Sequence, residues 1–255
     1  MSKIAIVTGA SSGMGKELLL RLQQSYELDE IWGIARRKEK LEELKPLSAI
    51  PTRPISLDLQ KEESMDKIKE LLEAEKPNVK LLIHAAGYGK FGTFEEIPLE
   101  HNLGMLDLNA RALVEITYLV LPYMKEKAQI LTVDSFSSFA PIPHVNVYAA
   151  TKAFVLSFTR SLNQELKPRK IHCIALCPYW VKTEFLDVAD SETKLRNLDK
   201  VYTVDFVVGK AMKALKKNNR DYIVPGWYAK FLHALTKLLP HKMVMWVWNK
   251  QQKFQ

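Results

Sequence analysis

The sequence predicts a three-layer α/β fold built on a doubly wound (Rossmann-type) parallel sheet of about seven strands. Short runs of β-branched and apolar residues, typical of buried strands, alternate along the chain with longer amphipathic stretches typical of helices. This strand–helix–strand order implies right-handed crossovers between parallel strands. No linker, change of composition or internal repeat interrupts the order, so a single domain over residues 1–255 is expected.

Each element follows from its local pattern. The runs rich in β-branched and apolar residues predict strands at Ile4–Thr8, Glu30–Ala35, Arg53–Leu57, Val79–His84, Gln129–Asp134, Ile171–Leu176 and Tyr222–Val224. Between them, apolar residues recur at the spacing of one helix face. The predicted helices are Lys16–Gln24, Ser64–Glu75, Met105–Lys125, Tyr148–Leu166 and one that starts near Val204.

Residues 182–202 interrupt this alternation. From Lys182 to Tyr202 the chain is polar and has no clear strand. Long irregular stretches of this kind are often lids over active sites, so a lid is expected near 182–202.

The apolar extension near 226–255 has large apolar residues at helical spacing until Pro240 interrupts the pattern. Three interpretations are open, in which the extension closes over a substrate, pairs two subunits, or lies on a membrane surface. In the third, four lysines would lie near the lipid headgroups, namely Lys230, Lys237, Lys242 and Lys250. The first two interpretations are favoured over the membrane.

Composition and charge favour a globular protein without a nucleic-acid partner. The net charge of +8 and the pI of about 9.3 would by themselves suit nucleic acid or an anionic membrane. Basic and acidic residues are interleaved, however, as in Arg36–Glu43, and this is typical of a solvated helix face. We therefore expect a basic surface that favours anionic ligands and no nucleic acid.

The two cysteines and the apolar runs predict a cytoplasmic protein. Cys173 and Cys177 lie four residues apart in one predicted strand, where their Cα atoms would be roughly 13 Å apart, too far for a disulfide. Unpaired thiols suit a reducing compartment. The N-terminus lacks the apolar core of a signal peptide, and no apolar run approaches the ~20 residues of a membrane span.

A glycine-rich segment from Thr8 to Gly15 follows the first predicted strand and opens a helix. Glycines there let the backbone turn tightly and approach a pyrophosphate, which the free amides and the helix dipole attract. A glycine-rich turn without a ligand is the alternative. The residues expected to contact a dinucleotide are Thr8, Gly9, Ser11, Ser12, Gly13, Met14 and Gly15.

The end of the second predicted strand indicates which dinucleotide binds. A carboxylate there would hydrogen-bond the ribose of NAD and repel a 2′-phosphate. This strand instead ends in Arg36 and Arg37, whose planar guanidinium groups suit phosphate. We expect NADP(H), with Arg36 or Arg37 on the 2′-phosphate and Ser12 as a helper. The alternative is that both arginines only solvate the surface.

Tyr148 and Lys152 are four residues apart in a predicted helix and therefore share a face. An ammonium group about 4.5 Å from the phenol, at an effective dielectric near 20, would stabilise the phenolate by about 3.7 kcal/mol. The pKa of the phenol is thus expected to fall from its usual value near 10 by two to three units. Such a phenol could exchange a proton with a substrate near neutral pH.

With this Tyr-x-x-x-Lys segment in view, the chain resembles the short-subunit branch of the short-chain dehydrogenase/reductase family, from the Thr8–Gly15 loop to about Val224. The resemblance implies that hydride passes between the nicotinamide and a carbonyl carbon while Tyr148 donates or accepts the proton. Lys152 would tune Tyr148 and anchor the nicotinamide ribose, Ser135 would hydrogen-bond the substrate oxygen, and Asn109 would hold a water in a proton relay. Members usually assemble through long helices, so a homodimer or homotetramer is expected.

Further cofactor contacts are implied by the same resemblance. Asp58 would lie beside the adenine, Leu59 after it would be a further cofactor contact, and Thr183 would be aimed at the nicotinamide carboxamide. The other residues that match the family's cofactor-binding loops are Ala86, Gly87, Pro178 and Val181. No metal ligand is assigned.

Three positions depart from the family's pattern. His84 and Ala85 replace the two usual asparagines, and His84 is interpreted as a buried, hydrogen-bonded residue rather than a catalyst. Tyr179 replaces the glycine that usually follows the proline of its loop. Asp134 replaces a residue that is often serine, and strand alternation points it away from Ser135, so it is given no catalytic role.

The residues expected to face the substrate are mostly apolar, namely Tyr88, Phe136, Ile142, Tyr179 and Trp180. They favour a hydrophobic ketone or secondary alcohol, such as a steroid, a bile acid or a long-chain oxo compound. One rival is a reductase of 3-oxoacyl thioesters, for which the basic surface would suit an acidic carrier protein. Another is a non-catalytic NADP(H)-binding sensor or scaffold, against which the intact Ser135, Tyr148 and Lys152 argue.

Overall fold

The computed structural model describes residues 1–189 and 198–252, and within them strands and helices alternate as the sequence predicts. The strands are β1 (Lys3–Thr8), β2 (Glu30–Ala35), β3 (Thr52–Ser56), β4 (Asn78–His84), β5 (Met124–Val133), β6 (His172–Leu176), β7 (Trp180–Val181), β8 (Val201–Tyr202) and β9 (Tyr222–Ile223). The helices are α1 (Gly13–Arg21), α2 (Lys38–Glu42), α3 (Glu62–Glu75), α4 (Leu99–Leu106), α5 (Ala112–Val120), α6 (Asn146–Glu165), α7 (Glu184–Ala189), α8 (Val204–Lys217), α9 (Trp227–Leu238) and α10 (His241–Gln252).

Seven of these strands form one parallel sheet in the order β3-β2-β1-β4-β5-β6-β9. The chain starts in the middle, moves outward through β2 and β3, and then returns to continue on the other side of β1. In doubly wound sheets, ligands bind beyond the carboxyl ends of the strands at this point of reversal, here between β1 and β4. The predicted fold class is confirmed, and it places a crevice beside the glycine-rich segment.

Helices cover both faces of the sheet, and alternate residues of each strand face different layers. In β1, Ala5 and Val7 pack in the apolar cluster that also contains residues of α1 and α8. Ile4 and Ile6 pack in the opposite cluster, with residues of α3 and α5. A central strand buried on both faces is therefore apolar throughout, which is why β1 is a continuous apolar run.

The predicted helix Met105–Lys125 is wrong in its bounds. Helix starts earlier, at Leu99, and is interrupted by a π-helical segment over Asp107–Arg111 before α5. A short 3-10 turn at Leu121–Tyr123 contains Pro122, which lacks the N–H needed to continue the helix. Strand β5 therefore begins at Met124, five residues before the predicted Gln129.

The predicted lid near 182–202 is more regular than expected. Val201–Tyr202 forms β8, which pairs in parallel with β7 in a small second sheet, and α7 begins at Glu184. Residues 190–197 of the predicted lid lie outside the described residues. Further along, α8 begins at the predicted Val204, and Pro240 separates α9 from α10 as expected.

Within the residues that the structure describes, no helix combines the length and the apolar character needed to cross a bilayer. Cys173 and Cys177 are both buried and free, as predicted from their spacing.

Candidate active site

Tyr148 and Lys152 lie one turn apart on α6, and both side chains are buried. The Lys152 ammonium donates a hydrogen bond to the Val133 carbonyl oxygen at 2.9 Å, and it lies 5.7 Å from the centroid of the Tyr148 ring. Because Val133 ends β5, this bond connects α6 to the carboxyl edge of the sheet. The predicted pair is therefore held together at the crevice.

Ser135 lies two residues beyond the end of β5 and starts a short 3-10 turn over Phe136–Phe139. Its hydroxyl accepts a hydrogen bond from the Ser137 amide at 3.2 Å. Its side chain also lies close enough to Tyr148 to lower the pKa of the phenol. Ser135, which the family resemblance implies as the serine that hydrogen-bonds the substrate oxygen, thus lies near Tyr148, and its role in the reaction stays a prediction.

The pKa of Tyr148 does not move as predicted. Burial raises the pKa of the phenol, the charge of Asp134 raises it further, and the neighbouring Ser135 side chain only partly offsets these effects. The expected net fall of this pKa is wrong for the described structure, because burial outweighs the contacts that favour the phenolate. The Lys152 ammonium donates to the Val133 carbonyl, and burial lowers its own pKa. Tyr148 is thus held in its protonated form.

Asp134 is a charged neighbour of this pair that the sequence interpretation dismissed. Its side chain is buried, and one carboxylate oxygen accepts a hydrogen bond from the Cys177 thiol at 3.5 Å. Burial raises the pKa of Asp134 to about 7, although the Lys152 charge lowers it, and Asp134 in turn favours the charged form of Lys152. Strand alternation described only the relation of Asp134 to Ser135 and missed its coupling to the lysine.

Asn109 lies in the π-helical segment, a rare irregularity that is frequent at functional sites. Its amide oxygen accepts from the Tyr88 N–H at 3.1 Å, and its amide nitrogen donates to the Tyr88 carbonyl at 2.9 Å and to the Thr151 hydroxyl at 3.1 Å. Asn109 thereby connects the loop after β4 to α6. The water relay stays a prediction, and Thr151, a partner that the sequence interpretation missed, lies between Tyr148 and Lys152.

The glycine-rich segment forms a cradle against the loop after β4. Gly9 has a φ of +66°, and a Cβ atom there would lie 2.6 Å from the Ala85 carbonyl carbon. The Thr8 hydroxyl accepts hydrogen bonds from the Ala85 and Ala86 amides, both at 3.2 Å. Thr8 was predicted to contact the cofactor, but it lies behind the cavity wall and holds that wall in place.

Room for a pyrophosphate remains at the start of α1. Ser12 is the N-cap residue, and its hydroxyl forms no capping hydrogen bond. The first amides of a helix have no partner within the helix, and the dipole makes this end attractive to anions. Thr183 of the loop after β6 approaches from the other side, with its Cγ2 atom 3.5 Å from where a Cβ of Gly13 would lie. These residues fit a dinucleotide phosphate.

Arg36 and Arg37 follow β2 and line the crevice. They lie at the end where the adenosine of a dinucleotide would be expected. Arg37 forms an ion pair with Glu184 at 2.9 Å and hydrogen bonds to the Ser11 hydroxyl at 3.3 and 3.4 Å. Both charged side chains of the ion pair are about half exposed, and such pairs contribute little free energy. Arg37 can therefore exchange Glu184 for a phosphate at small cost.

One cavity of about 540 Å³ connects these parts. Apart from Thr8 and Asn109, it is lined by all of the predicted site residues: Gly9, Ser11, Ser12, Gly13, Met14, Gly15, Arg36, Arg37, Asp58, Leu59, Ala86, Gly87, Tyr88, Ser135, Phe136, Ile142, Tyr148, Lys152, Pro178, Tyr179, Trp180, Val181 and Thr183. The sequence interpretation did not assign a lining role to particular residues of α9 and α10. Those that line the cavity, together with Leu239 directly after α9, are mostly apolar: Leu232, Leu235, Thr236, Val244, Val247, Trp248 and Gln251.

The aromatic residues predicted to face the substrate also pack against one another. The ring centroids of Phe136 and Tyr179 are 5.2 Å apart, and Trp180 stacks on Trp248 of α10 at 6.5 Å. The Trp248 indole N–H donates to the Pro143 carbonyl at 3.0 Å. These side chains therefore line the cavity and pack against one another at the same time, and their contacts attach α10 to the mouth of the cavity.

His84 is buried and hydrogen-bonded, as expected. Its Nε2 atom lies 2.9 Å from the Thr117 hydroxyl, and burial lowers its pKa to about 3. A neutral imidazole that is fixed in this way braces β4 against α5 and has no free proton to exchange at neutral pH.

Comparisons with known proteins agree with this geometry. Residues 3–194 match the family model described as short chain dehydrogenase. The very-long-chain 3-oxoacyl-CoA reductase of Rattus norvegicus is 29% identical over 93% of this chain and 81% of its own length. A short-chain dehydrogenase from Sphingobium yanoikuyae, solved in complex with NADPH, superposes with a TM-score of 0.80 at 27% identity, over 92% of this chain and 93% of that one. The 3-ketoacyl-(acyl-carrier-protein) reductase of Brucella melitensis shares the fold, with a TM-score of 0.74 at 23% identity over 87% of this chain and 96% of that one.

Proposed function

Because the chain belongs to the short-chain dehydrogenase family, we propose that it is an NADP(H)-dependent oxidoreductase that interconverts a ketone and a secondary alcohol on a long apolar substrate. The observation that carries this proposal is the single cavity that joins the glycine-rich segment, the Tyr148 hydroxyl and the apolar helices α9 and α10. A dinucleotide phosphate fits one end of this cavity and an extended hydrocarbon fits the other.

When bound, the dinucleotide supplies the hydride that adds to the carbonyl carbon. Tyr148 gives its proton to the carbonyl oxygen, and the Ser135 hydroxyl hydrogen-bonds the same oxygen as negative charge develops there. A phenol whose pKa is raised by burial is protonated, which is the form needed for reduction. Lys152, fixed by the Val133 carbonyl, supplies the positive charge that steadies the phenolate after transfer.

NADP(H) rather than NAD(H) is supported by the two guanidinium groups that line the adenosine end. The two positions after β2 are Arg36 and Arg37. An enzyme that prefers NAD usually has a carboxylate there, which binds the 2′-hydroxyl of the ribose. The short-chain dehydrogenase from Sphingobium yanoikuyae, which was solved in complex with NADPH, supports this assignment.

A 3-oxoacyl thioester is the second candidate substrate, and the name of the Rattus norvegicus relative favours it. Leu232 and Leu235 of α9 and Leu239 directly after it line the cavity, and they suit an acyl chain better than a compact polar ketone. Steroids, bile acids and other long-chain oxo compounds share this apolar character and remain within the proposed class.

A panel of carbonyl compounds tests the proposal through NADPH oxidation. The panel contains 3-oxoacyl thioesters of increasing chain length, steroids, bile acids and simple ketones. We expect kcat/KM to rise about fourfold for each methylene that enters the cavity, since burying a methylene contributes about 0.8 kcal/mol. Activity confined to small polar ketones would contradict the apolar substrate.

Replacing the proton donor separates an enzyme from a protein that only binds the dinucleotide. Tyr148→Phe keeps the ring but removes the hydroxyl, so turnover should fall by roughly 10²–10⁴-fold. NADPH affinity, measured by fluorescence titration, should remain close to that of the wild type. Unchanged turnover in this variant would eliminate the assigned chemistry.

We also propose that two or four copies assemble through the surface near α4, α5 and α6. Large apolar side chains are exposed there, namely Leu99, Leu103, Leu106, Tyr118 and Phe154. Exposed apolar patches of this kind mark protein interfaces. Light scattering of the purified chain measures the number of copies.

A further inference from the structure

Helices α9 and α10 are apolar on their outer side as well as on the side that lines the cavity. On α9, Trp227, Phe231 and Leu238 are exposed and recur at the spacing of one helix face. On α10, Met243 and Trp246 are exposed. A helix that only closed over a substrate would present polar residues to water, so this outer side calls for another partner.

The charged side chains that these helices carry have a single sign. Residues 226–255 contain five lysines and no aspartate or glutamate. Four of the lysines lie in or between the described helices, at Lys230, Lys237, Lys242 and Lys250. The Lys250 ammonium lies 4.1 Å from the centroid of the exposed Trp246 ring. Apolar, aromatic and cationic side chains are thus intermixed on one surface.

The inner side of both helices is already occupied by the protein. Leu232, Leu235 and Val244 line the cavity, and Trp248 is anchored to the Pro143 carbonyl. Turning the outer residues inward would therefore break packing that the cavity needs. Val247 both lines the cavity and is exposed, so the outer side reaches the cavity rim.

A second copy of this chain is a poor partner for the outer side. In a symmetric dimer the same patch meets itself, so lysines would face lysines. No carboxylate in residues 226–255 could compensate that repulsion. The exposed apolar residues near α4, α5 and α6 provide a separate surface for assembly.

We propose that the outer side of α9 and α10 docks on an anionic phospholipid bilayer. Each helix has 12 residues and is about 18 Å long, too short to span the ~30 Å hydrocarbon core, so both would lie along the interface. Trp227 and Trp246 suit the headgroup level, where indole rings are enriched. Lys230, Lys242 and Lys250 would lie among the lipid phosphates and draw the surface to negatively charged leaflets, whereas the Lys237 ammonium donates to the Tyr222 hydroxyl.

Vesicle flotation of the full chain tests the proposal. We expect binding to vesicles of phosphatidylcholine with 30% phosphatidylserine, and weak binding to phosphatidylcholine alone. Raising the salt to about 1 M should release the protein, because the Debye length then falls to about 3 Å. Equal binding to both kinds of vesicle, or binding to neither, would overturn the proposal.

Matched variants locate the surface. Phe231→Ser should weaken binding to the anionic vesicles about tenfold, whereas Phe94→Ser, which changes an equally exposed phenylalanine elsewhere (58% against 55%), should not. Lys230→Gln with Lys242→Gln should weaken binding about 30-fold, in line with about 1 kcal/mol per lysine at an anionic surface. The control is Lys213→Gln with Lys217→Gln on α8.

Circular dichroism and light scattering accompany each variant. If Phe231→Ser changes the number of assembled copies and leaves vesicle binding intact, the outer side belongs to a second copy and the membrane assignment falls. Vesicle binding is measured without turnover, so its failure is independent of any failure of the proposed reductase activity.

Discussion

At the scale of single residues, the pKa of Tyr148, the proposed proton donor, depends on groups that are buried with it. The pKa values of Tyr148, Lys152 and Asp134 all shift mainly because burial disfavours the charged form. Asp134 was not expected among these residues from the sequence, yet its carboxyl group is buried with Tyr148 and Lys152 and interacts with the Lys152 charge. The charge of Asp134 therefore raises the pKa of the Tyr148 phenol, and it also favours the charged form of Lys152.

Asp134 makes the stability of the protein depend on pH. Its pKa is about 7 in the folded chain, against 3.8 for an ordinary aspartate, so the folded state binds a proton that the unfolded state releases. The corresponding stability is present below about pH 4 and is lost as the pH rises through 7. Relative to Asp134→Asn, the wild type should lose on the order of 1–4 kcal/mol over this range.

Urea unfolding of the two proteins at pH 4.5, 6 and 8 measures this difference. His84, whose pKa is lowered to about 3, acts in the opposite direction on both proteins and cancels in the comparison. A difference in the free energy of unfolding that does not change with pH would show that Asp134 titrates normally.

Arg37 is predicted to bind the 2′-phosphate of NADPH. Replacing it by alanine removes a charge-assisted hydrogen bond, so the KM for NADPH should rise about 10- to 100-fold while the KM for NADH changes little. Lys38→Ala is the matched control, since it removes a neighbouring exposed cation. Steady-state kinetics with both dinucleotides provide the measurement, and an equal effect on NADPH and NADH would contradict the assignment.

At the scale of elements, the loop after β4 is held from two sides. Thr8 at the end of β1 binds the amides of Ala85 and Ala86, and Asn109 in the π-helical segment binds the backbone of Tyr88. The loop is thus fixed by one strand and one helix that are far apart in sequence. Its backbone forms the wall between the glycine-rich segment and Lys152.

Thr8→Val removes the hydroxyl at nearly constant volume and leaves two amides without their acceptor. The free energy of unfolding should fall by about 1–3 kcal/mol, and NADPH should bind more weakly because the cradle loosens. Thr8→Ser keeps the hydroxyl and should retain most of both properties. Urea unfolding and NADPH titration test this, and wild-type behaviour of the valine variant would mean that the wall does not need these bonds.

The elements also show what a sequence can and cannot predict. The glycine-rich segment, the arginines after β2 and the Tyr148–Lys152 pair depend on local spacing, and the structure brings them to one cavity as expected. The helix Met105–Lys125 was wrong because a π-helical segment and Pro122 change its course. The expected fall in the pKa of Tyr148 was wrong and the coupling of Asp134 to Lys152 was missed, because desolvation depends on residues that only the folded chain brings together.

At the scale of the whole molecule, a single domain over residues 1–255 stays a prediction. The sheet, the cavity and the C-terminal helices share side-chain contacts, such as the stacking of Trp180 on Trp248 and the bond from Trp248 to Pro143. These contacts should make the C-terminal helices unfold together with the sheet.

Thermal unfolding followed by two signals tests this coupling. Far-UV circular dichroism reports all helices, and tryptophan fluorescence mainly reports the C-terminal region, which contains Trp227, Trp246 and Trp248. We expect one transition with the same midpoint for both signals. An earlier fluorescence transition would show that α9 and α10 separate first and form a unit of their own.

The carboxyl end of β5 has a consequence for how this site can evolve. Three consecutive residues there act on the site in different ways. The Val133 carbonyl binds Lys152, the Asp134 carboxylate favours the charged form of Lys152, and Ser135 lowers the pKa of Tyr148. Inserting or deleting one residue upstream in β5 would rotate all three to the opposite faces of the strand at once. Natural variation in length is therefore expected in the turns that precede β5 and not within it.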